Sequence, residues 1–142
     1  MSIDFTLSEG QQELQNNAQA FAEAVLAPAA ERIDRAADGW EAFLAGREGY
    51  REMAKAGFTK SFIPTEYGGG GFSMLDFAIA AEELSRVDIS VPTTLLGSGL
   101  GLQPIIQHGT AEQKERLLRP FVEDSDGELL ASYAFTDVAG GA

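Results

Sequence analysis

Ile63-Pro64-Thr65-Glu66-Tyr67-Gly68-Gly69-Gly70-Gly71 is the stretch on which the reading of this chain turns. A proline followed by a run of glycines stops regular structure, so residues 58–72 read as a loop. Outward from it, in both directions, the sequence is patterned for helix. On the N-terminal side Ser8 with Gln11 forms a capping box, and Leu14, Ala18, Phe21, Ala22 and Val25 then fall on one stripe. Pro28 suits the first turn of a second helix, where a missing N–H breaks no bond. Asp38 and Glu41 make another box ahead of Trp40, Phe43, Leu44, Tyr50 and Met53, and Gly57 is placed to end that helix in a left-handed turn.

On the C-terminal side a helix follows Ser73, with Met74, Phe77, Ala78, Ala81 and Leu84 on one face and Glu82-Glu83 toward water. Ser90 and Pro92 open the next, and Gly109 closes the apolar turn that follows it. Thr110 with Gln113 starts a last helix, expected to stop near Pro120. After an acidic turn the period changes. Leu130, Ser132, Ala134 and Thr136 alternate with Leu129, Ala131, Tyr133 and Phe135, the two-residue period of a strand. Such a strand has no partner elsewhere in the chain. The expected fold class is all-α, a helical domain over residues 1–122, with residues 123–142 as the start of a β-domain.

Composition narrows the chemistry. The 142 residues hold 22 acidic against 10 basic side chains, a formal charge of −12, one histidine and no cysteine. That rules out disulfides, thiolate nucleophiles and Cys-ligated metals, and leaves His108 as the sole imidazole for any triad or metal site. The excess negative charge opposes nucleic acid. No apolar run is long enough to span a membrane, and Met1-Ser2-Ile3-Asp4 lacks the marks of a signal peptide, so a cytoplasmic location is the expectation. By mass scaling a single domain of this size folds to roughly 7,100 Å² of surface.

Candidate sites are few. Gly97, Gly99 and Gly101 do not make a dinucleotide fingerprint, because position 102 is leucine and the preceding segment is helical. They signal either close helix packing or the approach of a ligand or another backbone. Gly68 to Gly71 reads either as a flexible turn or as an anion-binding nest of N–H groups. His108 suits a helix-end cap, Phe21, Phe43 and Phe77 suit the core, and Arg47, Arg51 and Lys55 interleave with Glu48 and Glu52 as a solvated ion-paired face. No metal site is expected.

Read in order, several passages together resemble the acyl-CoA dehydrogenase superfamily of flavoproteins. They are Leu7-Ser8-Glu9-Gly10-Gln11-Gln12, Ala56-Gly57-Phe58, Ile63-Pro64-Thr65-Glu66-Tyr67-Gly68-Gly69 and Ala81-Glu82-Glu83-Leu84-Ser85-Arg86-Val87-Asp88. Pro104-Ile105-Ile106-Gln107-His108-Gly109-Thr110, Ala111-Glu112-Gln113-Lys114-Glu115-Arg116 and Tyr133-Ala134-Phe135-Thr136-Asp137 complete the set. The resemblance implies an N-terminal helical bundle followed by the first strand of a middle β-domain, with FAD as cofactor. It implies Tyr133, Phe135, Thr136, Gly140, Gly141 and Ala142 beside the flavin, and a substrate-tail pocket lined by Leu95, Gly99 and Leu102. The family's catalytic carboxylate belongs to a later domain, so no catalytic residue is assigned here and the chain reads as the N-terminal part of a longer homo-oligomeric, homotetrameric oxidoreductase.

Two departures bear on substrate. Asp137-Val138 stands where the family has Glu-Pro, and Ala142 follows Gly141 where the family has Ser-Asp. Gly49-Tyr50-Arg51-Glu52 and Leu100-Gly101-Leu102-Gln103-Pro104 resemble the nitroalkane oxidase branch. An acyl-CoA substrate is the first expectation and a nitroalkane the alternative. A non-catalytic helical interaction module is the rival from another class.

Overall fold

In the computed structural model, which describes residues 5–137 and 139–140, the capping chemistry sets most helix starts. Ser8 Oγ accepts from the Gln11 N–H and the Gln11 side chain returns the bond, opening α1 (Glu9–Phe21). The helix does not stop before Pro28. It widens into a π-turn over Ala22–Leu26, where the Ala27 N–H reaches Ala22 O, and continues as α2 (Ala27–Asp34). The wide turn stands where proline excludes the ordinary bond from position 28 to residue 24.

Asp38 opens α3 (Gly39–Lys55) by accepting from the Trp40 and Glu41 N–H groups, both at 2.9 Å. Glu41 reaches back to the N–H of Ala37, not of Asp38, so the box is displaced by one residue. Gly57, at φ 85°, ends the helix as expected. A Ser73–Asp76 box opens α4 (Met74–Ser85). The Asp88 carboxylate caps α5 (Ser90–His108) through the Ser90 and Val91 N–H groups. The Thr110–Gln113 box opens α6 (Ala111–Glu123), which runs through Pro120 instead of stopping there. Pro120 is exposed, so the carbonyl it leaves free can turn to water, and the Asp124 N–H still reaches Pro120 O.

The glycine loop is internally hydrogen-bonded and is not a nest. Its N–H groups are committed internally: Gly68 to Thr65 O, Gly69 to Pro64 O, Gly70 to Lys60 O and Gly71 to Ile63 O. Short helical turns at Phe58–Lys60 and Thr65–Tyr67 fold it back on itself. A Cβ at Gly69 would lie 2.1 Å from the Ile63 carbonyl oxygen, so the closeness of two backbones requires glycine there.

Around this knot α1 packs on α4, α2 on α3, α3 on α5, and α5 on both α4 and α6. Leu26, Met53, Ile63, Leu84 and Leu118 are fully buried at the centre. Phe21 and Phe77 pack against this core, but Phe43 does not: it is half exposed and stacks on Trp40, itself 66% exposed, at the start of α3. Glu83 departs the other way. It lies on the same α4 face as Ile79, Ala80 and Leu84, beneath α1, and is buried with Gln15 Nε2 donating to it at 2.9 Å. Only Glu82 of that pair faces water.

Residues 128–136 make no ladder with any described residue, as a strand without a partner cannot; beyond them is one isolated bridge, Asp137 with Gly140. The folded surface is 8861 Å², above the scaling value, with Leu130, Tyr133 and Phe135 among the exposed apolar side chains.

Candidate functional site

Helix α5 carries the three alternate glycines, and at 100° per residue they face different neighbours. A Cβ on Gly99 would meet the Phe62 ring at 3.5 Å, one on Gly101 would lie 2.8 Å from Ser132 N, and one on Gly97 would meet nothing within 4 Å. The approach of another backbone is what the structure shows, at Gly101; at Gly99 a Cβ would make only ordinary contact with a loop ring, so close helix packing is not what that glycine serves.

Beside Gly99 lies a cavity of about 370 Å³. Its α5 wall is Leu96, Gly99, Leu100 and Gln103; Phe62, Phe72, Met74 and Phe77 close it from the loop and from α4. Ser73 and Gln103 are its polar lining residues, and no charged side chain lines it. Of the expected pocket residues, Gly99 is on this wall. Leu95 and Leu102 are 3% and 5% exposed in the core, about one residue's rotation round the helix, and do not line the cavity.

The crossing backbone is an arm, residues 124–137. Its first turn is closed by Asp124, whose carboxylate accepts from the Glu128 and Leu129 N–H groups at 3.1 and 2.8 Å. Gly127, at φ 63°, lies so close on α3 that a Cβ would stand 2.9 Å from Arg51 Cα. Arg47 and Arg51, one helical turn apart, both donate to Glu128. Tyr50 Oη donates to Leu129 O at 3.2 Å, and Ala131 N–H donates to Ser98 Oγ at 3.3 Å.

Past Ser132 the arm stands clear of the helices. Tyr133 and Phe135 stack with ring centroids 5.5 Å apart and planes 7° apart, both about half exposed. Thr136 and Gly140 are exposed too, and the backbone N–H groups of 133–136 have no partner among the described residues. The structure thus brings Tyr133, Phe135 and Thr136 together on one free stretch with Gly140 close behind. Gly141 and Ala142 lie outside the described residues. Exposed backbone donors, a hydroxyl and a flat aromatic pair are groups of the kind that can meet the ring heteroatoms and face of a flavin.

Two titrations are shaped here. Burial pushes the Tyr50 phenol up, the Ser98 hydroxyl opposes this, and the Asp124 carboxylate adds to it. The Arg51 hydrogen bond, with the charge of both guanidiniums, holds the Glu128 carboxyl below its ordinary 4.5. A depressed carboxyl contributes its stabilisation above 4.5 and loses it as pH falls through the lower folded value. We therefore expect the Glu128 side-chain carboxyl carbon, followed by NMR from about pH 6 to pH 3, to titrate below 4.5. A midpoint at or above that value would show the ion pairs absent in solution.

The sequence reading missed this clamp. Arg47, Arg51 and Lys55 share a face as expected, but only Lys55 pairs within it, with Glu52. The other two turn to the arm. The sequence holds only the parts of it, Glu128 at the end of an acidic turn and two arginines at a four-residue spacing. Among the described residues no cluster of His, Asp and Glu could hold a metal ion, and no helix is long and apolar enough to cross a membrane.

Comparison with known proteins covers most of the chain. Residues 8–125 match the model of the acyl-CoA dehydrogenase N-terminal domain. The chain is 35% identical over 138 residues to nitroalkane oxidase from Fusarium oxysporum, covering 97% of this chain and 31% of that protein. It superposes on a crystal structure of a nitroalkane oxidase active-site mutant crystallized with 1-nitrooctane at a TM-score of 0.88, with 35% identity over 97% of this chain and 32% of that one. It also matches an acyl-CoA dehydrogenase complexed with FAD from Bacillus anthracis, at a TM-score of 0.78 and 26% identity over 95% of this chain and 22% of that one. The chain spans about a third or less of the length of these proteins.

Proposed function

Because this chain belongs to the acyl-CoA dehydrogenase family through its N-terminal helical domain, we propose that it builds the substrate-tail wall and one flavin edge of an FAD-dependent oxidoreductase acting on nitroalkanes. The observation that carries the reading is the cavity beside Gly99. At about 370 Å³ it is near the small end of ligand pockets, apolar, and without a charged side chain. An alkyl tail fits that chemistry. The polyanionic handle of a CoA thioester would need basic groups, and this segment carries a charge of −12 with Arg47 and Arg51 already paired to Glu128.

FAD, when bound, supplies the acceptor for the electrons leaving the substrate. This chain's part is to bind and orient. The Thr136 hydroxyl and the exposed backbone N–H groups of 133–136 would hold the flavin's polar edge, with Tyr133 and Phe135 beside it. Leu96, Leu100 and Phe77 would hold the tail and exclude water from it. The second reading, an acyl-CoA thioester, is favoured by the match to the FAD-bound acyl-CoA dehydrogenase.

The test is Gly99→Leu, in a polypeptide joining this chain to the remaining two thirds of the relatives' length. The added side chain fits against Phe62 but fills the cavity. We expect kcat/KM for long-chain nitroalkanes to fall roughly 10- to 100-fold, with nitroethane almost unaffected. Equal losses for both would remove the cavity from the substrate path. Turnover of acyl-CoA thioesters alone would replace the first reading by the second.

A further inference from the structure

We propose that Arg47 and Arg51 are positioning residues: through Glu128 they set the register at which the arm crosses the helical domain. If the proposed flavin reading is right, they thereby set where Tyr133 and Thr136 meet the cofactor.

The arm's path is defined by complementary contacts from two helices. On α3, Gly127 fits where no side chain could, and both guanidiniums take Glu128 in the next position. Tyr50, between Arg47 and Arg51 in sequence, takes Leu129 O. On α5, Ser98 takes the Ala131 N–H and Gly101 admits the backbone of Ser132. Residues 127, 128, 129, 131 and 132 are thus each matched to a position on α3 or α5. Slipping the arm by one residue would break every match at once and turn each side chain to the opposite side.

Among these contacts the clamp alone is charged on both sides, and charge-assisted pairs are about twice as strong as neutral ones. The neutral bonds beyond it, at 3.2 and 3.3 Å, are long. Steric fit at Gly127 and Gly101 defines the permitted track, but a glycine gap does not pull. Glu128 is the group that holds the arm to that track. The free segment starts five residues later, so a shift at Glu128 is carried directly to Tyr133.

The Ala131 amide reports the arm's register, since among the described residues its partner is Ser98 on a different element. Measured by hydrogen exchange in this chain, Glu128→Gln and the pair Arg47→Gln with Arg51→Gln should each speed exchange at Ala131 about three- to tenfold. Amides in α1 and α4 should not change, which separates loss of register from loss of fold. Reversing the pair, Glu128→Arg with Arg51→Glu, should restore protection, whereas a merely structural glutamate would not be rescued. Unchanged exchange at Ala131 in the clamp variants, or no rescue by the reversal, overturns the proposal. FAD added to the same variants and followed by flavin fluorescence tests the linked reading separately. Weaker binding in the variants than in the parent chain supports both. With that binding measured in the polypeptide joining this chain to the remaining two thirds of the relatives' length, absence of binding by the unsubstituted parent, with Ala131 still answering to the clamp, overturns the flavin reading and leaves the register assignment standing.

Discussion

Gly69→Ala is expected to lower stability by about 3 kcal/mol, at the upper end of what overpacking a rigid site costs. The new Cβ would lie 2.1 Å from Ile63 O and 2.5 Å from Ile63 C, atoms of backbone that no rotamer change can move. Ile63 itself is fully buried at the centre of the core, so the loop cannot swing outward without pulling it along. Its neighbours leave no slack, because Gly70 N–H and Phe72 N–H are tied to Lys60 O and Ser61 O at 3.0 and 2.8 Å. The internal comparison is Gly97→Ala. A Cβ there meets nothing within 4 Å, and α5 should gain about 1 kcal/mol of helix propensity. Thermal melts followed by circular dichroism should move the two variants in opposite directions. Equal midpoints would show the loop to be loose in solution.

Leu118→Ala should cost about 3 kcal/mol, within the range for emptying a fully buried leucine site. Helix α6 is mostly polar, and Leu118 is its one fully enclosed side chain, seated against the core. Phe121 and Val122 pack there only in part. Removing Leu118 empties the one fully buried site by which α6 joins the core, so amides of α6 should exchange before those of α1. Uniform loss of protection across all helices would mean that α6 melts only with the whole domain.

Helix starts were legible because the capping side chains act within a few residues: Ser8, Asp38, Ser73 and Thr110 each bond to an N–H two or three positions on. Helix ends at proline were not legible. Whether Pro120 stops a helix depends on whether the carbonyl it frees faces water, which is a tertiary fact. Glu83 was misread for a related reason, since α4 is apolar over most of its circumference and periodicity could not say which side α1 covers. The family match was legible as a string, while the arm clamp was not, because Arg47 and Glu128 are 81 positions apart. The cavity wall was missed by a single residue's rotation, for α5 is apolar at both 95 and 96 and only packing decides which leucine enters the core.

Trp40, the single tryptophan of the sequence, stands out in the water at the head of α3, two-thirds exposed and stacked on Phe43. Its emission is therefore already close to that of a hydrated indole while the chain is native. Fluorescence will see little when the core melts and will understate the changes predicted for Gly69 and Leu118. The same indole is a sensitive optical probe for the opposite event, because any body that covers this end of α3 will shift its emission to the blue.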